Sequence, residues 1–255
     1  MSTVNFSIDL SGHTAIVTGA SSGLGQRFAK VLAACGAKVA CTARRRDKLE
    51  QVVAEITAEG GQAQAFTLDV RDAEQLKNII PTVTAALGQP NILINNAGIP
   101  DGQRAIKMST EFIDNLLDSN LRSAYILSNE FARPLIEAKM PGKIVNISSV
   151  MAFQYDGNGA ALYSITKAAL ARMTEALAVE WSRFFINVNA IAPGAFSTEM
   201  LDGMLDRMGD ISQHFPRKRI CQTEQMDSTL LYLVSPSSDA VTGTVIKVDD
   251  GQSPR

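Results

Sequence analysis

The sequence predicts a doubly wound α/β fold: a seven-stranded parallel sheet with helices on both faces. Three observations carry this expectation. From His13 onward, short β-branched runs alternate with longer helical stretches, which is the rhythm of consecutive βαβ units. Two of the strand segments, ILIN and IVNI, are near-continuous apolar runs, as strands covered on both faces require. A glycine-rich turn follows the first strand and opens directly into a helix, the arrangement that places a phosphate at a helix N-terminus.

The elements follow in order. TAIVTG (14–19) is the first strand, and the helix after it runs through Gly25 to Cys35. Gly36 then occupies the place where a left-handed residue closes a helix. AKVACTA (37–43) is the second strand, followed by a helix to Glu59 with Gly60 behind it. QAFTLDV (64–70) is the third; Asp72 is placed to cap the helix beginning DAEQL, and Gly88 closes that helix. Strands at 91–98, 142–149, 187–194 and 244–251 complete the seven, and a long helical stretch spans 160–181. No repeat, low-complexity tract or linker interrupts the series, so residues 1–255 are expected to form one domain. Residues 198–222 are Met-rich, polar and weakly periodic, and read as an insertion lying over a site.

Composition narrows the function. With 45% hydrophobic and 20% charged residues in 255, the chain can bury a large core. A net charge of -2 offers no basic face for nucleic acid or an anionic membrane. No signal-peptide pattern and no spanning apolar stretch is present, so a cytoplasmic protein is expected. Cys35, Cys41 and Cys221 are well separated and read as buried thiols, neither disulfides nor zinc ligands. His13 and His214 are the only histidines, so no metal centre is expected; His13 reads as an ordinary surface residue, and His214 either as another or as a group reaching substrate.

The chemistry concentrates in two places. Gly19, Ser21, Ser22, Gly23, Leu24 and Gly25 form the turn at the first helix, where missing side chains let backbone approach a pyrophosphate. Tyr163 and Lys167 stand four apart in the 160–181 helix and so share a face. An ammonium beside a phenol stabilises the phenolate and should draw its pKa down, making Tyr163 a usable proton donor and acceptor. Ser149 ends the strand 142–149 and lies 14 residues before Tyr163, within reach of the same oxygen; the adjacent Ser148 competes for that place.

The spacing TGxxxGxG, the NNAG at 95–98 and the YxxxK at 163–167 together resemble the short-chain dehydrogenase/reductase family, and the resemblance spans nearly the whole chain. It implies a Rossmann-type domain binding a nicotinamide cofactor, with similarity to 3-oxoacyl-carrier-protein reductases and carbonyl reductases. It further implies an active site of Asn120, Ser149, Tyr163 and Lys167, in which Asn120 holds a water linking the lysine to solvent. The implied cofactor contacts are the turn residues above with Asp69, Val70, Asn96, Ala97, Gly98, Tyr163, Lys167, Pro193, Gly194, Phe196 and Thr198. A homotetramer or homodimer is implied as well. The second strand ends Thr42-Ala43-Arg44-Arg45-Arg46 with no carboxylate for a ribose 2′-hydroxyl; Arg44 suits a 2′-phosphate instead, so NADP(H) is expected over NAD(H). Two departures stand out: relatives that use NADP often have a basic residue where this chain has Ser22, and relatives usually have two glycines after Asp249 where this chain has Asp250-Gly251.

The expected activity is interconversion of a ketone and a secondary alcohol by hydride transfer, with Tyr163 as general acid and base. The alternatives are an NAD-dependent alcohol or polyol dehydrogenase, a 3-oxoacyl thioester reductase, or a catalytically silent dinucleotide-binding scaffold. The loop 150–162 with Met151, Phe153 and Tyr155 should border the substrate. Met200, Met204 and Met208 recur at helical spacing, either as an adaptable apolar lid or as packing against the body. As a lid they would favour a medium-sized apolar or aromatic ketone over a sugar.

Overall fold

The structure is a computed structural model describing residues 8–155, 157 and 159–253; within these, the side chains of Met204, Asp206, Arg207 and Met208 lie outside the description. All seven strands are parallel: β1 (Thr14–Thr18), β2 (Lys38–Ala43), β3 (Gln62–Thr67), β4 (Ile92–Asn95), β5 (Gly142–Ile147), β6 (Ile186–Pro193) and β7 (Val245–Val248), in the order β3-β2-β1-β4-β5-β6-β7. The order reverses between β3 and β4, so the connections from β1 and from β4 diverge to opposite faces. This opens a crevice at the carboxyl ends of those two strands, where open α/β sheets bind ligands.

Burial explains the continuous apolar runs. Ala15 and Val17 face one cluster with α1 (Gly23–Ala34), α2 (Arg46–Ala58) and α8 (Asp227–Val234), while Ile16 faces the other with α3 (Ala73–Leu87), α5 (Ser123–Ala138) and α6 (Ala161–Trp181). In β4 the same alternation sends Ile92 and Ile94 one way and Leu93 the other. A strand whose two faces are both core has no solvent side on which to place polar residues.

Local signals hold in detail. Asp72 accepts from the Glu74 and Gln75 amides at 2.9 and 3.1 Å and caps α3. Gly36 has φ +96°, and a Cβ there would also crowd the Ser11 hydroxyl. Every strand from β3 onward ends earlier than expected, and in two of them a side chain takes over at the end. β3 begins two residues earlier and ends at Thr67; Asp69 instead turns its carboxylate onto the Arg71 amide and guanidinium. β7 stops at Val248 because the Asp249 carboxylate folds back onto the Gly251 and Ser253 amides.

Candidate active site

The glycine turn is closely braced from β4. The Asn96 side-chain amide donates to the Thr18 carbonyl at 2.8 Å, and the Thr18 hydroxyl accepts from the Asn96 and Ala97 amides, both at 3.0 Å. A Cβ at Gly25 would overlap the Gly19 carbonyl and the Asn96 amide, so no larger residue fits there. Gly19 and Gly23 have φ of +68° and +56°, conformations that favour glycine. Ser22 is the N-cap of α1 but makes no side-chain cap bond. The first amides of α1 therefore have no hydroxyl partner at the cap and are free for an anion. Turn, braces and helix end fit a dinucleotide pyrophosphate. Val70 joins Thr18, Asn95 and Ala97 in lining one small cavity on the α5 side of this crevice.

The second group converges from β5, α6 and the segment before α5. Ser149 shares a hydrogen bond with the Tyr163 phenol and also accepts from the Met151 amide at 3.1 Å. Ser148 points elsewhere: its hydroxyl donates to the Lys167 carbonyl at 2.8 Å. The Lys167 ammonium lies 5.5 Å from the Tyr163 ring centre and donates to the Ile147 carbonyl at 2.8 Å. Asn120 stands in a π-helical turn, Asp118–Arg122, between α4 (Thr110–Leu117) and α5. Such turns loosen the helical ladder and recur at functional sites. Its side chain pairs twice with Ile99, accepting from the amide at 2.8 Å and donating to the carbonyl at 3.0 Å. Gly98 lies between Asn120 and Lys167, and a Cβ there would press on the Asn120 oxygen at 3.1 Å while meeting the Lys167 ammonium only in ordinary contact at 3.7 Å.

Electrostatics correct one expectation. Burial holds the Tyr163 pKa above its ordinary value, and the Ser149 hydrogen bond opposes this only in part. The downward pull of Lys167 does not dominate, because its ammonium is engaged by Ile147 and is itself buried; burial lowers its pKa to about 8. Ala160, just before α6, adopts φ +63° and donates its amide to the Gln103 carbonyl at 3.1 Å. The start of the Tyr163 helix is thus set by a strained non-glycine residue, a cost met typically at sites where geometry matters.

Among known proteins, a family model described as enoyl-(acyl carrier protein) reductase, of the short-chain alcohol dehydrogenase type, matches residues 19–253. The chain belongs to the short-chain dehydrogenase/reductase family. The 2-dehydro-3-deoxy-D-gluconate 5-dehydrogenase of Dickeya dadantii is 33% identical over 246 residues, covering 95% of this chain and 96% of its own. A 3-oxoacyl-[acyl-carrier-protein] reductase of Synechocystis sp. is 34% identical over 245 residues, covering 95% and 97%. A crystal structure of an Agrobacterium tumefaciens protein with bound NADP, proposed to be a 2-deoxy-D-gluconate 3-dehydrogenase, superposes with a TM-score of 0.87 at 35% identity, covering 96% of this chain and 98% of that one. This short-chain dehydrogenase/reductase is accordingly an oxidoreductase acting between alcohol and carbonyl carbons.

Other residues expected at the site fall into place unevenly. Pro193 ends β6 and Gly194 donates to the Val248 carbonyl at 2.9 Å, leaving no room for a Cβ beside Asp249. Thr198 caps α7 (Glu199–Met208), and a Cβ on Gly23 would crowd its methyl group at 3.1 Å. Phe196 differs: its side chain is buried in the core and its backbone bridges to Cys221, so its ring is not presented to a cofactor. Met200 is exposed, whereas Met204 and Met208 lie outside the described side chains. His13 is partly buried with its ring 3.1 Å from the Asn91 amide, and His214 is exposed.

Sequence reasoning passed over Arg45. Arg44 is exposed and its charge is felt by Asp69, while Arg45 turns back onto the glycine turn, donating to Ser22 at 2.8 Å and Ser21 at 3.1 Å. The three consecutive arginines were visible, but choosing among them needs the phase of α2, whose N-cap is Arg45.

Proposed function

We propose that this enzyme interconverts a ketone and a secondary alcohol through Asn120, Ser149, Tyr163 and Lys167, with NADP(H) preferred over NAD(H). The single observation that carries this reading is the Ser149–Tyr163 hydrogen bond with the Lys167 ammonium 5.5 Å from the same ring. When bound, the nicotinamide supplies or takes the hydride. Tyr163 gives its phenolic proton to the substrate oxygen, and Ser149 holds that oxygen. Lys167 anchors the cofactor ribose and re-supplies the proton across Gly98, where Asn120 links it to solvent. A phenol kept protonated by burial is an acid at neutral pH, so carbonyl reduction is the favoured direction there and alcohol oxidation gains as pH rises.

The 2′-phosphate of NADP(H) would meet guanidinium groups from Arg44 and Arg45, the latter delivering a cation to the Ser22 position. Bound NADP in the Agrobacterium tumefaciens structure supports this preference. The chain acts as one domain, with 198–222 as a substrate lid whose first helix is anchored by buried Leu201. Exposed Tyr125 on α5 with Ile165 and Val179 on α6 supports a homodimer or homotetramer through those helices. The placement is cytoplasmic, and no helix among the described residues is long and apolar enough to cross a membrane.

Phe153, Tyr155 and Met200 are all exposed and favour a medium-sized apolar or aromatic ketone. A second reading, a keto sugar acid, is favoured by the name of the Dickeya dadantii relative. Following NADPH and NADH absorbance against aromatic ketones, keto sugar acids and a 3-oxoacyl thioester separates these. Turnover of a ketone with NADPH is expected; no turnover of any carbonyl with either cofactor would leave only a silent scaffold.

A further inference from the structure

We propose that Glu199 sets the balance between NADP(H) and NAD(H), by holding the very cations that a cofactor 2′-phosphate would engage. This deepens the NADP(H) preference argued above and rests on it. One Glu199 oxygen lies 2.9 Å from the Arg45 guanidinium and the other 2.6 Å from the Lys48 ammonium. Ser22 bonds the same carboxylate, and together these groups hold its pKa down to about 2. Arg45 simultaneously reaches Ser21 and Ser22. The carboxylate is therefore seated on the glycine turn itself, one residue past Thr198, whose methyl would lie 3.1 Å from a Cβ on Gly23.

A carboxylate and a phosphate ask for the same charge-assisted bonds from a guanidinium. Two anions cannot both take them without mutual repulsion. A ribose 2′-hydroxyl is neutral and can donate to Glu199, so NAD(H) leaves the arrangement undisturbed. NADP(H) must turn Glu199 aside, which is feasible because that side chain is half-exposed and its ion pairs are screened by solvent. Lys48 follows Arg45 by three residues at the start of α2, so both cations come from one turn of backbone while Glu199 comes from the first turn of α7. Glu199 thus penalises the phosphate and tolerates the hydroxyl, tempering a preference that the arginines alone would make steep.

Calorimetric titration of the purified chain at low salt with NADP+, NAD+ and adenosine 2′,5′-bisphosphate tests this on binding alone. Glu199→Gln is expected to tighten NADP+ and the bisphosphate about fivefold and NAD+ by less than about twofold. Asp202→Asn removes the same charge from the same helical turn and is expected to change none of the three by more than about twofold. A Glu199→Gln protein that binds NADP+ no more tightly, or tightens NAD+ equally, overturns the proposal. If Arg45→Ala weakens NADP+ while Glu199→Gln is inert, the role of Glu199 alone fails. If the unmodified protein prefers NAD+ and is indifferent to Arg45→Ala, the NADP(H) reading itself fails.

Discussion

Lys167 is 5% exposed, and its ammonium donates to the Ile147 carbonyl at 2.8 Å. Burial lowers its pKa from 10.5 to about 8, so below pH 8 the folded protein carries a charged amine in a site that disfavours it. Between pH 8 and 10.5 the unfolded chain binds more protons than the folded one, so this group's contribution to stability rises with pH. Comparing urea unfolding of the unmodified protein and Lys167→Met should show the difference moving toward the unmodified protein by on the order of 2 kcal/mol from pH 8 to pH 10. A difference flat in pH would mean that Lys167 titrates normally. The YxxxK spacing made this pair legible from the sequence, because i and i+4 share a helix face. The direction of the Tyr163 pKa was not legible, because it depends on what buries the phenol, and spacing does not report burial. Arg45 was missed for a related reason: adjacent arginines are chemically alike, and only the backbone of the β2–α2 turn decides which one faces the glycines.

A buried polar line runs across the centre of the sheet and ties strands to helices. Asn95 of β4 donates to Ser128 of α5 at 3.0 Å and to Asn146 of β5 at 2.8 Å, and Asn146 donates to Thr174 of α6 at 2.9 Å. Asn146, Ser128 and Thr174 are fully buried. Asn146→Leu keeps the volume but leaves Asn95 and Thr174 each short of a partner, which should cost about 2–4 kcal/mol. Calorimetry should then show Tm falling by roughly 5–10 °C; an unchanged Tm would mean that the line adds nothing. The strands bearing these residues were evident in the sequence as apolar runs, and the interrupting asparagines gave no sign of meeting one another. The π-turn at Asn120 was equally hidden, since one extra residue in a helical turn leaves the apolar pattern around it almost unchanged. The early end of β3 follows from the Asp69–Arg71 contact, a side-chain event that β-propensity does not register.

Across the whole molecule, the doubly wound seven-stranded parallel sheet was predictable from alternating periods and the position of the glycine turn, whereas the strand order came from the structure. The segment 198–222 was recognisable only as irregular. Among the described residues two sets of ion pairs tether it: Glu199 to Arg45 and Lys48 beside the glycine turn, and Arg217 and Arg219 to Asp250, both at 2.6 Å. Asp250 stands at φ +52°, a left-handed position that favours glycine, and its carboxylate supplies contacts that glycine could not. These ion pairs fix the start of the segment beside the glycine turn and its end beside the residue after β7. The proposed function turns on Tyr163 moving the substrate proton. The most direct test measures NADPH oxidation with the best carbonyl substrate for the unmodified protein and Tyr163→Phe, alongside cofactor Kd. Turnover should fall by at least ~100-fold with Kd within about twofold, whereas a Tyr163→Phe enzyme keeping about a tenth of its activity or more would contradict the account.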